Sequence, residues 1–326
     1  LTGIMKTEMS IASTTQMLNP YNKTWSYEAL EKFSIPSNIL TEIVPSGTVI
    51  GKLRADICDE LGAPSADVIA VCGHDTQCAV FSAPVKKDED FIFISCGTWS
   101  LFGTENTDPI INETSARLNL TNETGFGNTT TFLKNIIGLW LIQESRRQFR
   151  REGNDCTFAE LECFAKETKP FACFINPDAP EFVPEGDIPS RVKEFCRRTG
   201  QYVPKTIGEI MRCIYESLAL KYRQTFDEIK ECTHKSYDRI HLVGGGAKDG
   251  FLCQMTANAC GCEVLAGPIE ATAYGNIAIQ LITNGAISDI HNAREIIARS
   301  DNVKLFKPND IDEWEMAFEE YKKYQK

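Results

Sequence analysis

The chain reads as an α/β protein with a largely buried sheet, and three observations carry that reading. Short β-rich apolar runs at 68–72, 91–94 and 240–243 alternate with segments whose apolar residues recur at helical spacing. These runs are apolar at nearly every position rather than every second one, as strands covered on both faces are. Finally, 326 residues of which 42% are hydrophobic supply a sizeable core, which excludes a disordered or low-complexity chain.

Taken in order, residues 1–50 hold short pieces, with a helical turn or two over 27–33 and a loop punctuated by Pro36, Pro45 and Gly47. Apolar residues at 50, 53, 57 and 61 predict a helix over 51–61, stopped by Gly62-Ala63-Pro64. The run 68–72 is a buried strand, ending in Gly73-His74-Asp75-Thr76 and a short helix through Phe81. The polar stretch 86–90 reads as a domain boundary. A strand over 91–94 returns as a hairpin through 99–103, with Gly97 in the turn. The Asn- and Thr-rich residues 104–131 suggest loops with short strands.

Helices follow over 138–153, apolar first and then basic, and over 157–167. Pro177, Pro180, Pro184 and Pro189 make 176–190 a surface loop. After Pro204, Ile207, Ile210, Ile214, Leu218, Tyr222 and Phe226 share one face of a long helix. Next come a strand at 240–243, three glycines at 244–246, a helix over 249–259 and a brief strand at 263–265. Helices over 272–283 and 287–299 and a charged closing helix complete the chain.

Composition narrows the partners. Thirty-four basic residues stand against 45 acidic ones, net −11, and no block of Lys and Arg appears, so neither nucleic acid nor an anionic membrane is an expected partner. The longest apolar run, 136–142, is too short to span a bilayer. No secretory signal pattern opens the sequence. Thirteen cysteines include no Cys-x-x-Cys pair, and the four histidines complete no metal-ligand spacing, so no metal site is expected. Scattered thiols of this kind suit small buried positions in a reducing cytoplasm, where the five Asn-x-Ser/Thr sequons carry no meaning.

Several short segments can carry chemistry. Gly244-Gly245-Gly246, between a strand and a helix, allows backbone N–H groups close to a phosphate or nucleotide. It is equally a tight turn, and the dinucleotide pattern G-x-G-x-x-G fails because Asp249 stands at the third glycine position. Asp75 opens a helix after a buried strand, where it either caps the helix or serves as a general base toward a substrate hydroxyl. His74 and Thr76 flank it with hydrogen-bonding groups. The Gly97-Thr98 hairpin tip offers backbone N–H groups and a hydroxyl to a phosphate. Lys134 and Asn135 precede an apolar helix that carries Gln143. By themselves these suggest no more than a cap at Asn135 and a solvated face at Gln143.

Five segments in this order, GHDTQCAVFSAP, ISCGTWSLFG, LKNIIGLWLIQE, CIYESLALKYR and IHLVGGGAKDGFLCQMTANACGCEVLAGPIEATAYGNIAIQL, resemble the FGGY carbohydrate kinases, from near residue 1 to about residue 300. GTWSL is the discriminating piece: the glycerol-, xylulose- and fuculose-phosphorylating branches differ there, and the likeness is to the branch acting on L-rhamnulose. The resemblance implies an actin-like, hexokinase-type (ribonuclease H-like) fold of two α/β domains with a cleft between them. It implies transfer of phosphate from ATP, as its magnesium complex, to the primary hydroxyl of a ketose, giving L-rhamnulose 1-phosphate. Asp75 matches the family's catalytic base. His74, Thr76 and Asn135 match substrate-contacting positions. Gly97, Thr98 and Gln143, with Gly245 and Gly246 of the adenosine motif, match ATP-contacting ones. Phosphoryl transfer rests mainly on positioning and charge stabilisation, which suits such a set.

The family's opening strand and Asp-x-Gly phosphate loop are not in the sequence, so roughly one domain's worth of residues, on the order of 150, is expected to be missing from the front. On this reading 1–85 is the C-terminal remnant of the sugar-side domain and 91–326 the ATP-side domain. The remnant's uncovered core favours homo-oligomers, and the chain alone is expected to be inactive or nearly so. The alternatives are an L-fuculose or xylulose kinase, a non-catalytic nucleotide-binding fragment, and a nicotinamide dehydrogenase built on the glycine turn.

Overall fold

The structure is a computed structural model that describes residues 1–87 and 89–325. Asp88, inside the boundary expected at 86–90, lies outside the described residues. The first elements are short: β1 (Thr7–Glu8), α1 (Met9–Thr14), β2 (Leu18–Asn19), β3 (Thr24–Trp25), α2 (Tyr27–Lys32) and β4 (Ile43–Val44). β1 pairs with β4 and β2 with β3, around a small core of Ala12, Leu18, Trp25 and Leu30.

The helix expected over 51–61 is two elements. β5 (Thr48–Lys52) takes the first residues and α3 (Ala55–Leu61) the rest. Gly51, at φ +158° beside a bulge, keeps the chain extended so that β5 can pair antiparallel with β6 (Asp67–Ala70). α3 stops where expected, at Gly62 in the left-handed region (φ +59°). β6 is only half-buried, because β5 is its sole partner in a two-stranded sheet. The continuous apolar run therefore overstated its burial.

α4 (Asp75–Phe81), β7 (Ile92–Cys96) and β8 (Trp99–Asn106) follow as read from the sequence. The Asn- and Thr-rich region also holds a helix, α5 (Glu113–Arg117), fixed by a capping box between Asn112 and Ser115, and then β9 (Thr121–Thr124). The main correction comes next. Residues expected to lead into a helix form a strand, β10 (Thr130–Ile137), so Asn135 caps nothing and is an exposed strand residue. Seven of the eight residues of β10 are buried, which removes the alternation that marks a half-covered strand.

α6 (Trp140–Arg151) and α7 (Phe158–Lys166) lie where expected, α7 opened by a Thr157–Glu160 capping box. The proline-rich loop ends earlier than 190: α8 (Ile188–Arg198) begins inside it. Pro189 sits in its first turn, where a missing N–H costs nothing. α9 (Ile207–Thr233) is the long helix, buried along most of its length. β11 (Arg239–Val243), α10 (Gly250–Cys260), β12 (Glu263–Ala266), α11 (Ala271–Thr283), α12 (Ile290–Ser300), β13 (Lys304–Phe306) and α13 (Ile311–Tyr321) complete the order; β13 is an edge strand that sequence reading missed.

The large sheet is seven-stranded and mixed, in the order β13-β12-β11-β7-β8-β10-β9, with β11 parallel to both β7 and β12. By compactness the chain forms two units. Unit 1 takes Leu1–Phe91, Gly103–Leu133 and Glu270–Asn302; unit 2 takes Ile92–Phe102, Lys134–Ile269 and the residues from Val303 onward. In unit 1, α11 lies against α4 so closely that Gly275 faces the carbonyl of Cys78. Phe81, Ala278, Ile279 and Ala293 pack around that contact. In unit 2 the Tyr222 hydroxyl of α9 reaches Ser100 Oγ of β8 at 2.7 Å, and Phe102 stacks on Phe226. Among the described residues no helix is long and apolar enough to cross a membrane.

Candidate functional site

In unit 2 the apolar strands β7 and β8 bring the chain to a tight turn at Gly97-Thr98, closed by the Gly97 N–H donating to the Trp99 carbonyl at 2.8 Å. The start of α6 latches this turn. Gly138 N–H and Trp140 N–H both donate to the Thr98 carbonyl at 3.1 Å, and Leu139 N–H donates to the Gly97 carbonyl at 3.0 Å. Only glycine fits at 138, because a Cβ there would lie 2.4 Å from Ser100 Oγ and 2.9 Å from the Gly97 carbonyl oxygen. One turn along α6, Gln143 accepts a 3.3 Å hydrogen bond from Thr98 Oγ1.

The three glycines after β11 have different reasons to be there. Gly244 adopts φ +88°, which disfavours any side chain. A Cβ on Gly246 would stand 2.2 Å from Cys96 Sγ of β7, so this residue is a packing contact. At Gly245 a Cβ would meet nothing within 4 Å, and the residue is exposed. Neither backbone nor packing explains that glycine. Just beyond, Asp249 caps α10 through Leu252 N–H at 2.9 Å and accepts from the Tyr215 hydroxyl at 2.8 Å. Burial pushes its carboxyl above the ordinary aspartate value, against the pull of those two hydrogen bonds.

These pieces meet around one cavity of about 570 Å³. Gly97, Thr98, Gln143 and Gly245, four of the five residues expected at ATP, line it; Gly246 lies behind, against Cys96. Leu139, Ile142, Phe158 and Ala159 give it an apolar wall, and Glu162, Lys248 and Asp249 polar groups. None of these seven was anticipated. The available signal was spacing: Leu139, Ile142 and Gln143 share one face of the start of α6, as Phe158 and Glu162 do on α7. An aromatic residue exposed at the first position of a helix, as Phe158 is, was the other clue.

Unit 1 holds the other set. His74, not Asp75, occupies the capping position of α4, and Asp75 is the first helical residue, exposed to solvent. Thr76 is buried. The loop before α4 is tied down by Glu8, whose carboxylate accepts from Gly73 N–H at 2.8 Å and from Ser10 N–H, Ile11 N–H, Ser10 Oγ and Ser46 Oγ. Ser10 Oγ in turn accepts from His74 N–H at 3.1 Å. On the other side, His74 Nδ1 lies 2.8 Å from Glu123 Oε2. That oxygen also accepts from Gln77 Nε2, and Gln77 Oε1 accepts from Thr131 Oγ1 at 2.7 Å. Sequence reading missed Glu8 and Glu123, which act from distant segments, and Gln77, which lies on α4 itself but matters through its bonds to Glu123 and Thr131. Asn135 belongs to unit 2. A cavity of about 290 Å³ in unit 1 is lined by Ser13, Gln16, Glu123 and Thr130 among others; His74, Asp75 and Thr76 do not line it.

Burial alone would lower the His74 pKa, but the hydrogen bond and charge of Glu123, with Asp75 and Glu8 further off, raise it above its ordinary 6.5. Glu123→Gln is therefore expected to bring the imidazole titration down, as followed by NMR. A folded-state pKa above the unfolded one stabilises fully below the unfolded value. That contribution is lost as pH rises through the folded one, so the stability advantage over Glu123→Gln should shrink in that window.

Comparison of the sequence with known families defines the class. Residues 92–283 match the C-terminal domain of the FGGY family of carbohydrate kinases and residues 1–82 its N-terminal domain, so the chain belongs to the FGGY family of carbohydrate kinases. Within it, the chain is 39% identical over 322 residues to a rhamnulokinase of Bacteroides thetaiotaomicron, covering 99% of this chain and 65% of that protein. It is 41% identical over 312 residues to a rhamnulokinase of Bacillus subtilis, covering 96% of this chain and 64% of that protein. The chain thus spans less than two thirds of either relative's length. Among solved structures, a ligand-bound xylulose kinase from Lactobacillus acidophilus superposes with a TM-score of 0.78 at 17% identity, over 99% of this chain and 64% of that one. The glycerol kinase of Plasmodium falciparum with ADP gives 0.74 at 14% identity, over 98% and 63%. The α/β, actin-like kinase fold that the motifs implied is the fold found.

Proposed function

We propose that the protein to which these residues belong phosphorylates the 1-hydroxyl of L-rhamnulose, with ATP as its magnesium complex, giving L-rhamnulose 1-phosphate and ADP. One observation carries the nucleotide half of this reading. Gly97, Thr98, Gln143 and Gly245 come from three separate stretches of sequence and line a single cavity of ordinary ligand size. The apolar wall suits the faces of a purine, the Gly97-Thr98 turn suits phosphates, and the empty space at Gly245 leaves room for the base or ribose. In the sugar half, Asp75 accepts the proton of the attacking hydroxyl as its oxygen bonds to the γ-phosphorus and ADP departs. His74 and Thr76, on either side of Asp75, and Asn135 contact the sugar. The relatives' names favour rhamnulose over L-fuculose or D-xylulose.

Calorimetric titration of this chain with ADP tests the cavity. Gly245→Val is expected to weaken ADP binding by about 10-fold or more without lowering the melting temperature. Unchanged ADP affinity in that variant, or binding of NAD in preference to ADP, overturns the assignment. Turnover on L-rhamnulose, L-fuculose and D-xylulose, assayed by ADP release in the full-length protein and in these 326 residues, tests the substrate and the expectation that this stretch alone is nearly inactive.

A further inference from the structure

Three cysteines far apart in sequence converge in unit 2. Cys173 lies between α7 and α8, Cys196 is near the end of α8, and Cys213 is in the second turn of α9; all are buried, at 3%, 0% and 2% exposure. Their sulfur atoms all lie within 4.8 Å of one another. A metal bound to thiolates at about 2.3 Å would set its sulfurs roughly 3.8–4.0 Å apart, so less than about 1 Å of closure separates this triangle from a coordination shell.

The surroundings fit an ion as well. A void of about 10 Å³ touches Cys173 and Cys213 and is bordered by Lys169, Tyr202 and Arg212. Lys169 and Tyr202 are exposed, which gives a path from solvent, and the lining carries the carboxylates of Glu209 and Glu216 beside the two cations. Arg212 is itself held by Glu216 of α9, beside the sulfurs.

We propose that Cys173, Cys196 and Cys213 form a site for one thiophilic metal ion of the Zn(II) or Cu(I) class, bound through three sulfurs with release of the three thiol protons to solvent. The site is separate from the nucleotide cavity, whose lining includes none of the three cysteines.

Titration of the reduced chain with Zn(II) alone, and separately with Cu(I) alone, against a chromophoric chelator tests this. One ion per chain is expected with at least one of the two metals. Its affinity should fall by about 10-fold or more in each of Cys173→Ser, Cys196→Ser and Cys213→Ser, and stay unchanged in Cys163→Ser, an exposed thiol outside the cluster. Should those variants misfold, mass-spectrometric mapping of alkylation in the unsubstituted chain gives the same answer. The added metal should protect these three cysteines and no others. Uptake of neither metal, affinity that survives all three substitutions, or uniform alkylation overturns the proposal. So does recovery of two of the three cysteines as a disulfide in a chain that, once reduced, takes up no ion.

Discussion

Asp75→Asn in the full-length protein is expected to lower kcat by about 10²–10⁴-fold while leaving KM for sugar and ATP within a few-fold. The substitution keeps the shape of the side chain and removes its ability to take a proton. In barrier terms the loss is about 2.7–5.4 kcal/mol, the range a positioned general base supplies. Folding should be untouched, because Asp75 is exposed and His74 holds the capping position of α4. Steady-state ADP release at saturating L-rhamnulose measures the effect. A variant that retains more than a tenth of the activity would remove Asp75 from the role of base.

The second large effect is on stability. Gly275→Ala is expected to destabilise unit 1 by about 3 kcal/mol or more, a fall in melting temperature of roughly 6–12 °C. Within a helix, alanine ordinarily gains about 1 kcal/mol over glycine. Here the added Cβ would stand 2.0 Å from the carbonyl oxygen of Cys78 and 2.6 Å from its carbon. Those are backbone atoms of α4 and cannot rotate aside, so α11 and α4 must separate and the packing of Phe81 and Ile279 loosens with them. Gly250→Ala is the control: its Cβ would meet only ring atoms of Phe306, at 3.8 and 3.9 Å, and the variant should melt as the unsubstituted chain does. Equal melting of the two variants would show that the close approach at Gly275 carries no energetic weight.

What could be read from sequence follows the strength of local signals. The long helix α9, the glycine turn after β11 and the Gly97-Thr98 tip each announce themselves by periodicity or turn chemistry. Their positions carried over directly. β10 did not announce itself, since burial of seven of its eight residues, the polar Thr130, Thr131 and Lys134 among them, erased the period-two pattern, and its last two residues, Ile136 and Ile137, read on into α6. α8 was hidden by prolines that mark a loop in one register and a helix start in another. Of the residues lining the large cavity, Gly97, Thr98 and Gly245 were offered by their own segments, while Gln143 read locally as a solvated face and came only through the family resemblance. Residues that matter through a partner elsewhere were not legible. Glu123 beside His74 and Gly138 under the Thr98 turn sit in stretches with nothing local to distinguish them, and only folding brings them to their partners.

Glu8 bears on how far the chain can be shortened. Its carboxylate joins the first helix, Ser46 and the Gly73 amide, so the segment before Asp75 takes its shape from residues more than sixty positions earlier. Trimming the N-terminus through residue 8 removes no group proposed to touch sugar or nucleotide, yet it releases the backbone on which Asp75 is mounted. The first helix thus belongs to the minimal unit that presents the proposed base, and any shorter version of this chain that is to keep that presentation must begin ahead of Glu8.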